Sequence, residues 1–378
     1  MADPATPAPA SEPVPGAGPV RAEDTFDVPA VAAWLRTHAA DATGLDGIPE
    51  VVQFGGGASN LTYLLRYAGG PAGRGRDLVL RRPPAGTKAR GAHDMRREHD
   101  IQAALAPVFP YVAPMVAFCD EESVLGSQFY VMERLLGTIL RREVPRELGL
   151  DPAGLHHLCL GAIDTLVALH DVDVEAAGLA GLGRGEGYVA RQVGGWSARY
   201  RKARTPDVGS FEGVMAWLDA HQPPDVGQVL IHNDFRFDNL VLAPGDPTRI
   251  VGVLDWEMAT VGDPLMDLGG AMAYWVQADD DPVFRRFRRQ PTQTPGMLTR
   301  VEVVRAYCDR RGIPMDAQRW AFYEVFGLFR LAVIAQQIWY RYHHGQTTNP
   351  AYKQFRWVVL YLEYRCRRLI RRQERSSS

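Results

Sequence analysis

The rhythm of apolar and polar positions changes near residue 150. Before it, apolar side chains come in short runs punctuated by Gly and Pro, the pattern of strands joined by turns. Residues 51–54 form one run and end in Gly55-Gly56-Gly57. Residues 60–67 carry the β-branched and aromatic content of a second strand, and residues 77–82 form a third, stopped by Pro83-Pro84. The stretch 69–76 reads as a turn, so the three predict an antiparallel meander with a glycine loop between its first two strands. Residues 94–105 place Met95, Ile101 and Leu105 at helical spacing. Residues 114–119 and 128–133 read as two more strands, and Leu136-Gly137-Thr138 as a short crossing into the second half.

Beyond residue 150 the period becomes helical. Residues 155–170 are amphipathic, with Leu158, Ile163, Leu166 and Leu169 near helical spacing. Further helices are predicted over 187–202, 211–221, 298–311, 317–342 and 352–371, with one β-rich interruption over 228–256. Strands first and helices afterwards define an α+β chain. Residues 1–22 are rich in Ala and Pro, lack a secretory pattern, and predict a disordered tail. Residues 372–378 read as a frayed end. A strand-rich lobe over 23–136 and a helical lobe over 137–371 remain.

Composition narrows the partners. The 378 residues are 46% hydrophobic and 23% charged, with a formal net charge of −2. This balance fills a core and gives no bulk attraction to nucleic acid or an anionic membrane. The longest apolar runs are broken by arginines and too short to span a bilayer. Cys119, Cys159, Cys308 and Cys366 stand far apart without a CxxC pair, so reduced thiols in a cytoplasmic setting are expected. Composition leaves the oligomeric state open.

The chemistry concentrates in Ile231-His232-Asn233-Asp234-Phe235-Arg236-Phe237-Asp238-Asn239. This string fits H-x-D-x-x-x-x-N, the catalytic-loop spacing of kinases. Phosphoryl transfer needs a carboxylate to take a hydroxyl proton, metal ligands to offset phosphate charge, and in-line geometry. Asp234 fits the first role, Asn239 a Mg²⁺ ligand, and His232 a brace for the loop. Three fixed positions arise by chance in ~5% of chains this long, so context decides. That context is the apolar run 250–254, which ends in Asp255 where kinases place their main Mg²⁺ ligand. Asp263 before Pro264 reads as a helix cap. Asp267, on the core side of that helix, is expected to accept hydrogen bonds from the catalytic-loop backbone. Arg236 could stabilise transferring charge or simply pair with Asp238. Within 277–294, Arg285, Arg286, Arg288 and Arg289 read first as a solvated face and second as a rim attracting an anionic substrate.

The strings VLIHNDFRFDNLVL and VGVLDWEMATVGDPLMDLG, with FGGGASNLTYLLR, DLVLRRPP, MRREHDI and QFYVMERLLG, closely resemble the aminoglycoside phosphotransferase and choline kinase superfamily. They look most like the branch whose kinase-like domain is fused to acyl-CoA dehydrogenases. The resemblance covers most of residues 28–275. It implies a two-lobed protein-kinase-like fold that uses ATP and Mg²⁺ to phosphorylate a small hydroxylated acceptor. Under it, Gly55, Gly56, Gly57, Ser59 and Asn60 would form the phosphate loop. Arg81 would grip phosphates where protein kinases carry lysine, and Glu98 would hold Arg81. Backbone groups near Glu133 and Leu135 would meet adenine in a hinge. DWE in place of DFG, with no APE-type segment, favours a small acceptor over a protein. The branch suggests a hydroxy acid or hydroxyacyl-CoA; an antibiotic kinase and a nucleotide-binding pseudokinase are the alternatives.

Overall fold

In a computed structural model, residues 14–55, 60–68, 75–84 and 94–376 are described. They fall into two units, one from residues 1–103 and 113–134 and the other from 104–112 and 135–378.

The first unit is built on a six-stranded sheet. Its strands are β1 (Ala17–Gly18), β2 (Glu50–Phe54), β3 (Leu61–Tyr67), β4 (Arg76–Arg82), β5 (Met115–Cys119) and β6 (Phe129–Glu133), in the order β1-β2-β3-β4-β6-β5. Each pairs with its neighbours antiparallel. Alternation along β3 and β4 aims Leu61, Tyr63, Leu65, Leu78 and Leu80 at one face. There α1 (Val28–His38) seats Val31, Trp34 and Leu35 on them, started by the Asp27 side chain and a proline in its first turn. The opposite face carries Arg81 and Tyr130, opposed in register. Glu98 of α2 (Met95–Leu105) reaches Arg81 on that side. The short α3 (Glu122–Leu125) joins β5 to β6.

The sequence reading missed β1 and α1 and placed disorder over ground that is partly ordered. Residues 14–22 are described, and Ala17 and Gly18 pair with Phe54 and Gln53. The cause is Arg82. Its buried guanidinium donates to the Asp24 carbonyl (2.6 Å) and to the Tyr63 hydroxyl (2.9 Å), and lies over the Phe26 ring. Gln53 adds a 2.8 Å bond to the Asp24 carboxylate. A short apolar-poor segment carries no periodicity, so its order depends on partners distant in sequence.

The second unit is mainly helical: α4 (Pro152–His170), α5 (Tyr188–Ala203), α6 (Glu212–Ala220), α7 (Pro264–Ala273), α8 (Pro282–Arg286), α9 (Arg300–Arg311), α10 (Ala317–His343) and α11 (Phe355–Ser376). The last helix runs through residues expected to be frayed, a correction at the C-terminus. Two two-stranded sheets interrupt the helices. One pairs β8 (Leu240–Ala243) with β9 (Asp246–Val253), the other β7 (Val229–Ile231) with β10 (Thr260–Gly262). Contrary to the expectation from run lengths, α4 and α10 reach the length and hydropathy of a membrane span. They are core helices: α10 packs against α5, α7 and α11, and α4 against β9 and α9.

Where α7 and α10 cross, their backbones touch. A Cβ on Gly269 would sit 2.7 Å from the Tyr323 carbonyl oxygen, and one on Gly327 would collide with the carbonyl of Gly269. Replacing Gly327 by Ala therefore forces the helices apart. The expected cost is about 3 kcal/mol, the upper end of ordinary overpacking, read as a lower urea midpoint with an unchanged slope.

Candidate active site

The predicted catalytic loop is a tight turn between β7 and β8 whose backbone is held from three sides. Asp267, in the first turn of α7, accepts from the amide N–H of His232 (2.9 Å) and of Asn233 (2.7 Å). Arg330 of α10 donates to the Asn233 carbonyl (2.8 Å). Gln290 accepts from the Phe237 amide (2.8 Å). These bonds hold Asn233 at φ 65°, a left-handed conformation that a non-glycine residue enters at a cost. Its side chain adds a bond to the Met258 carbonyl (3.0 Å).

Asp267 is fully buried, and the His170 ring lies 3.2 Å from its Oδ2 while bonding Tyr307 on its other nitrogen (2.6 Å). Burial pushes the carboxyl pKa up, but the hydrogen bond and charge of His170 and the His232 amide outweigh it and leave the value lowered. Asp263 caps α7 by accepting from Leu265 and Met266, and takes the Val226 amide as well (2.6 Å). The roles expected for Asp263 and Asp267 are the ones their hydrogen bonds describe.

His232 is buried and does not face solvent. Its Nδ1 accepts from the Asp234 amide (3.2 Å), so Nε2 carries the proton and donates to the Leu254 carbonyl (3.0 Å). The ring thus ties the loop to the chain segment that delivers Asp255. Leu254 is fixed again through its amide, which donates to the Asn239 carbonyl (2.8 Å). Asp255 follows at φ 68°, a second left-handed non-glycine residue. Trp256, fully buried, wedges behind it against His232 and Phe109, which is where tryptophan replaces the phenylalanine of DFG.

Asp234 receives three contacts on one side. Arg236 Nη2 lies 3.0 Å from its Oδ2, and the Asn239 amide donates to the same oxygen (3.1 Å) and to the Asp234 carbonyl (2.9 Å). Burial raises the Asp234 pKa, the Arg236 charge pulls it down, the Asp255 charge pushes it up, and the balance is a raised value. Arg236 also meets Asp238 (3.4 Å) and stacks on Tyr274, which is the structural salt bridge weighed for it. With the Asn239 nitrogen committed to Asp234, its amide oxygen is left as an acceptor. Together with the Asp255 carboxylate this is a hard oxygen donor set, which suits Mg²⁺ bound through one or two protein groups and substrate phosphates.

In the first unit, Asn60, Arg81 and Glu98 come together. Arg81 Nη1 is 3.3 Å from Glu98, and Asn60 donates to Glu98 (3.4 Å). Other predicted positions are committed elsewhere. The Gly55 amide donates to the Gly16 carbonyl (3.0 Å), because β1 closes over the end of β2, so it does not serve the phosphate loop. Gly56, Gly57 and Ser59 lie outside the described residues. The Glu133 amide donates to the Pro114 carbonyl (2.9 Å), and its carboxylate accepts from Arg76 (3.0 Å). Leu135 begins the second unit and lies against Gly252.

Sequence reasoning missed Arg330, His170, Tyr307, Tyr274 and Gln290. One signal was present: a lone arginine inside the apolar aromatic run of α10 must be paired if buried. The others carry no pattern, since their value lies in contacts across more than fifty residues of chain or within a buried ring stack.

An H-x-D loop between two strands, an aspartate just past a strand end and a separate antiparallel sheet define the class: kinase-like phosphotransferases. The family model described as phosphotransferase enzyme family matches residues 50–301, and the chain belongs to that family. A Ralstonia eutropha protein classed with the aminoglycoside phosphotransferases is 31% identical, covering 91% of this chain and 99% of its own, with a TM-score of 0.73. Choline kinase from Cryptosporidium parvum shares the fold at 10% identity and a TM-score of 0.62, over 93% and 97% of the two chains. Acyl-CoA dehydrogenase family member 10 of Mus musculus is 34% identical over 346 residues, 90% of this chain. The chain spans about a third of that relative's length, 31%.

If Asp267 anchors the loop, Asp267→Asn loses about 3 kcal/mol at pH 7, because a buried hydrogen-bonded charge is removed from its partners. The lowered folded-state pKa fixes the pH dependence. The carboxylate's contribution is fully present above the ordinary range near ~4 and lost as pH falls through its lowered folded value. The gap in urea stability between native chain and variant should therefore close on acidification below that range.

Proposed function

We propose that this phosphotransferase moves the γ-phosphoryl group of ATP to the hydroxyl of a small hydroxy acid or of its CoA thioester. The observation that carries the reading is the arrangement around Asp234. Its carboxylate is oriented by Arg236 and Asn239, on a loop pinned by Asp267 and Arg330. In the proposal Asp234 aligns the acceptor hydroxyl and accepts its proton, and Arg236 keeps the carboxylate in that orientation. Arg81, held by Glu98, bridges phosphate oxygens as guanidinium does. Asn239 and Asp255 would hold Mg²⁺, which supplies charge neutralisation on the phosphates when bound.

Two points favour an acidic or CoA-linked acceptor over a polycationic antibiotic. A site for a polycation needs free carboxylates, yet Asp280 is bound by Arg300 (2.9 Å) and Arg365 (3.1 Å). Asp281 caps α8 and accepts from Tyr361. The likeness to an acyl-CoA dehydrogenase family member points the same way.

The test is ADP formation with Mg·ATP against hydroxy acids, hydroxyacyl-CoA esters and aminoglycosides. Asp234→Ala should lower turnover by about 10²–10⁴-fold and leave Mg·ATP affinity nearly unchanged. Asp255→Ala should weaken Mg²⁺-dependent ATP binding itself, measured by calorimetry with and without the metal. Normal turnover in either variant would remove these assignments.

A further inference from the structure

The second unit contains a cavity of about 340 Å³ that the catalytic loop does not account for. Its lining includes Arg184, Tyr188, Arg191, Gln192, Arg199 and Thr260. None of the three arginines has a carboxylate partner among the described residues. Arg191 donates to the carbonyls of Gly185 and Glu186, and Arg199 stacks on the Trp196 ring at 4.7 Å. The N-terminus of α5, which opens beside them, is already satisfied, because Asp225 accepts from the amides of Gly187, Tyr188 and Val189. The unmatched charge is therefore that of the guanidiniums.

Some arginines of this chain are closely paired. Arg236, Arg300 and Arg365 each meet one or two carboxylates. Three arginines left together around one polar cavity hold a positive potential that a single carboxylate ligand would not offset. A phosphate-type group, with several charged oxygens, matches both the charge and the fork geometry. The cavity also adjoins the reaction centre through one side chain. Tyr188 lines it, and its ring lies against Gly262 of β10, the strand paired with β7, which leads into the loop carrying Asp234.

We propose that this cavity binds the phosphate-bearing handle of the acceptor, with Arg184 and Arg199 as its principal contacts and Arg191 as the framework of its rim. The proposal rests on the small-molecule phosphotransferase reading and narrows it, because it requires an acceptor that carries phosphates away from the reacting hydroxyl. A hydroxyacyl thioester of CoA has that form, and a free hydroxy acid does not.

The probe is coenzyme A, titrated calorimetrically into the full chain with Mg²⁺ and a saturating non-hydrolysable ATP analogue, so that the nucleotide site is occupied. The double variant Arg184→Gln with Arg199→Gln should bind it at least about tenfold more weakly, and Arg199→Lys should fall between the two. Both arginines are exposed, and an unchanged melting temperature will show that the variant is folded. In turnover, the double variant should raise KM for a hydroxyacyl-CoA and leave KM for ATP unchanged. No binding of coenzyme A to the native chain, or equal binding to the variant, overturns the proposal. So does an equal loss with acceptors that lack phosphate. If coenzyme A binding depends on the arginines while no acceptor is turned over, the cavity assignment stands and the phosphotransferase reading fails.

Discussion

A carboxylate removed from water must be surrounded by donors, and the one on which the reacting loop depends is not the catalytic candidate but Asp267. Its two oxygens take the amides of His232 and Asn233 and a ring nitrogen of His170. Desolvating such a group costs several kcal/mol, which only good geometry offsets. The same geometry forces the loop into its left-handed turn at Asn233. The position of Asp234 is thus set by a residue that need never touch substrate, and His232 passes the constraint on to the segment bearing Asp255.

Much of this was legible in the sequence because the candidate catalytic groups lie at fixed spacing within one stretch. His232, Asp234 and Asn239 share one turn and the β8–β9 hairpin returns the chain to it just before Asp255, so their mutual placement is nearly a local property. The helix cap at Asp263 is equally local, and the proline after it announces it. The second strand pair and the long aromatic helix follow from periodicity alone. Arg81 with Glu98 is different. Neither residue is distinctive by itself, and only the resemblance brought them together before their 3.3 Å contact was seen.

What stayed hidden depends on partners far along the chain. Arg82 looks like a surface arginine beside Pro83, yet it is buried and organises the segment around Asp24. The closing of β1 over Gly55 follows, and with it the loss of an amide expected to face phosphate. Gln290 sits in a stretch read as a solvated arginine face, although it holds the Phe237 amide. Composition reports the average character of such a stretch, whereas one buried amide decides its role. Arg288 is likewise paired, with Glu143, so the segment is less an open basic rim than its sequence suggested.

The glycine contact between α7 and α10 carries a consequence for how this scaffold tolerates change. One helix supplies Asp267 and the other Arg330, and both grip the backbone at Asn233. Their separation is set by peptide groups in van der Waals contact rather than by interlocking side chains. Ordinary turnover of neighbouring core residues therefore has little leverage on the spacing of the two grips. Such a frame lets acceptor-facing surfaces diversify while the reacting geometry is insulated from the drift.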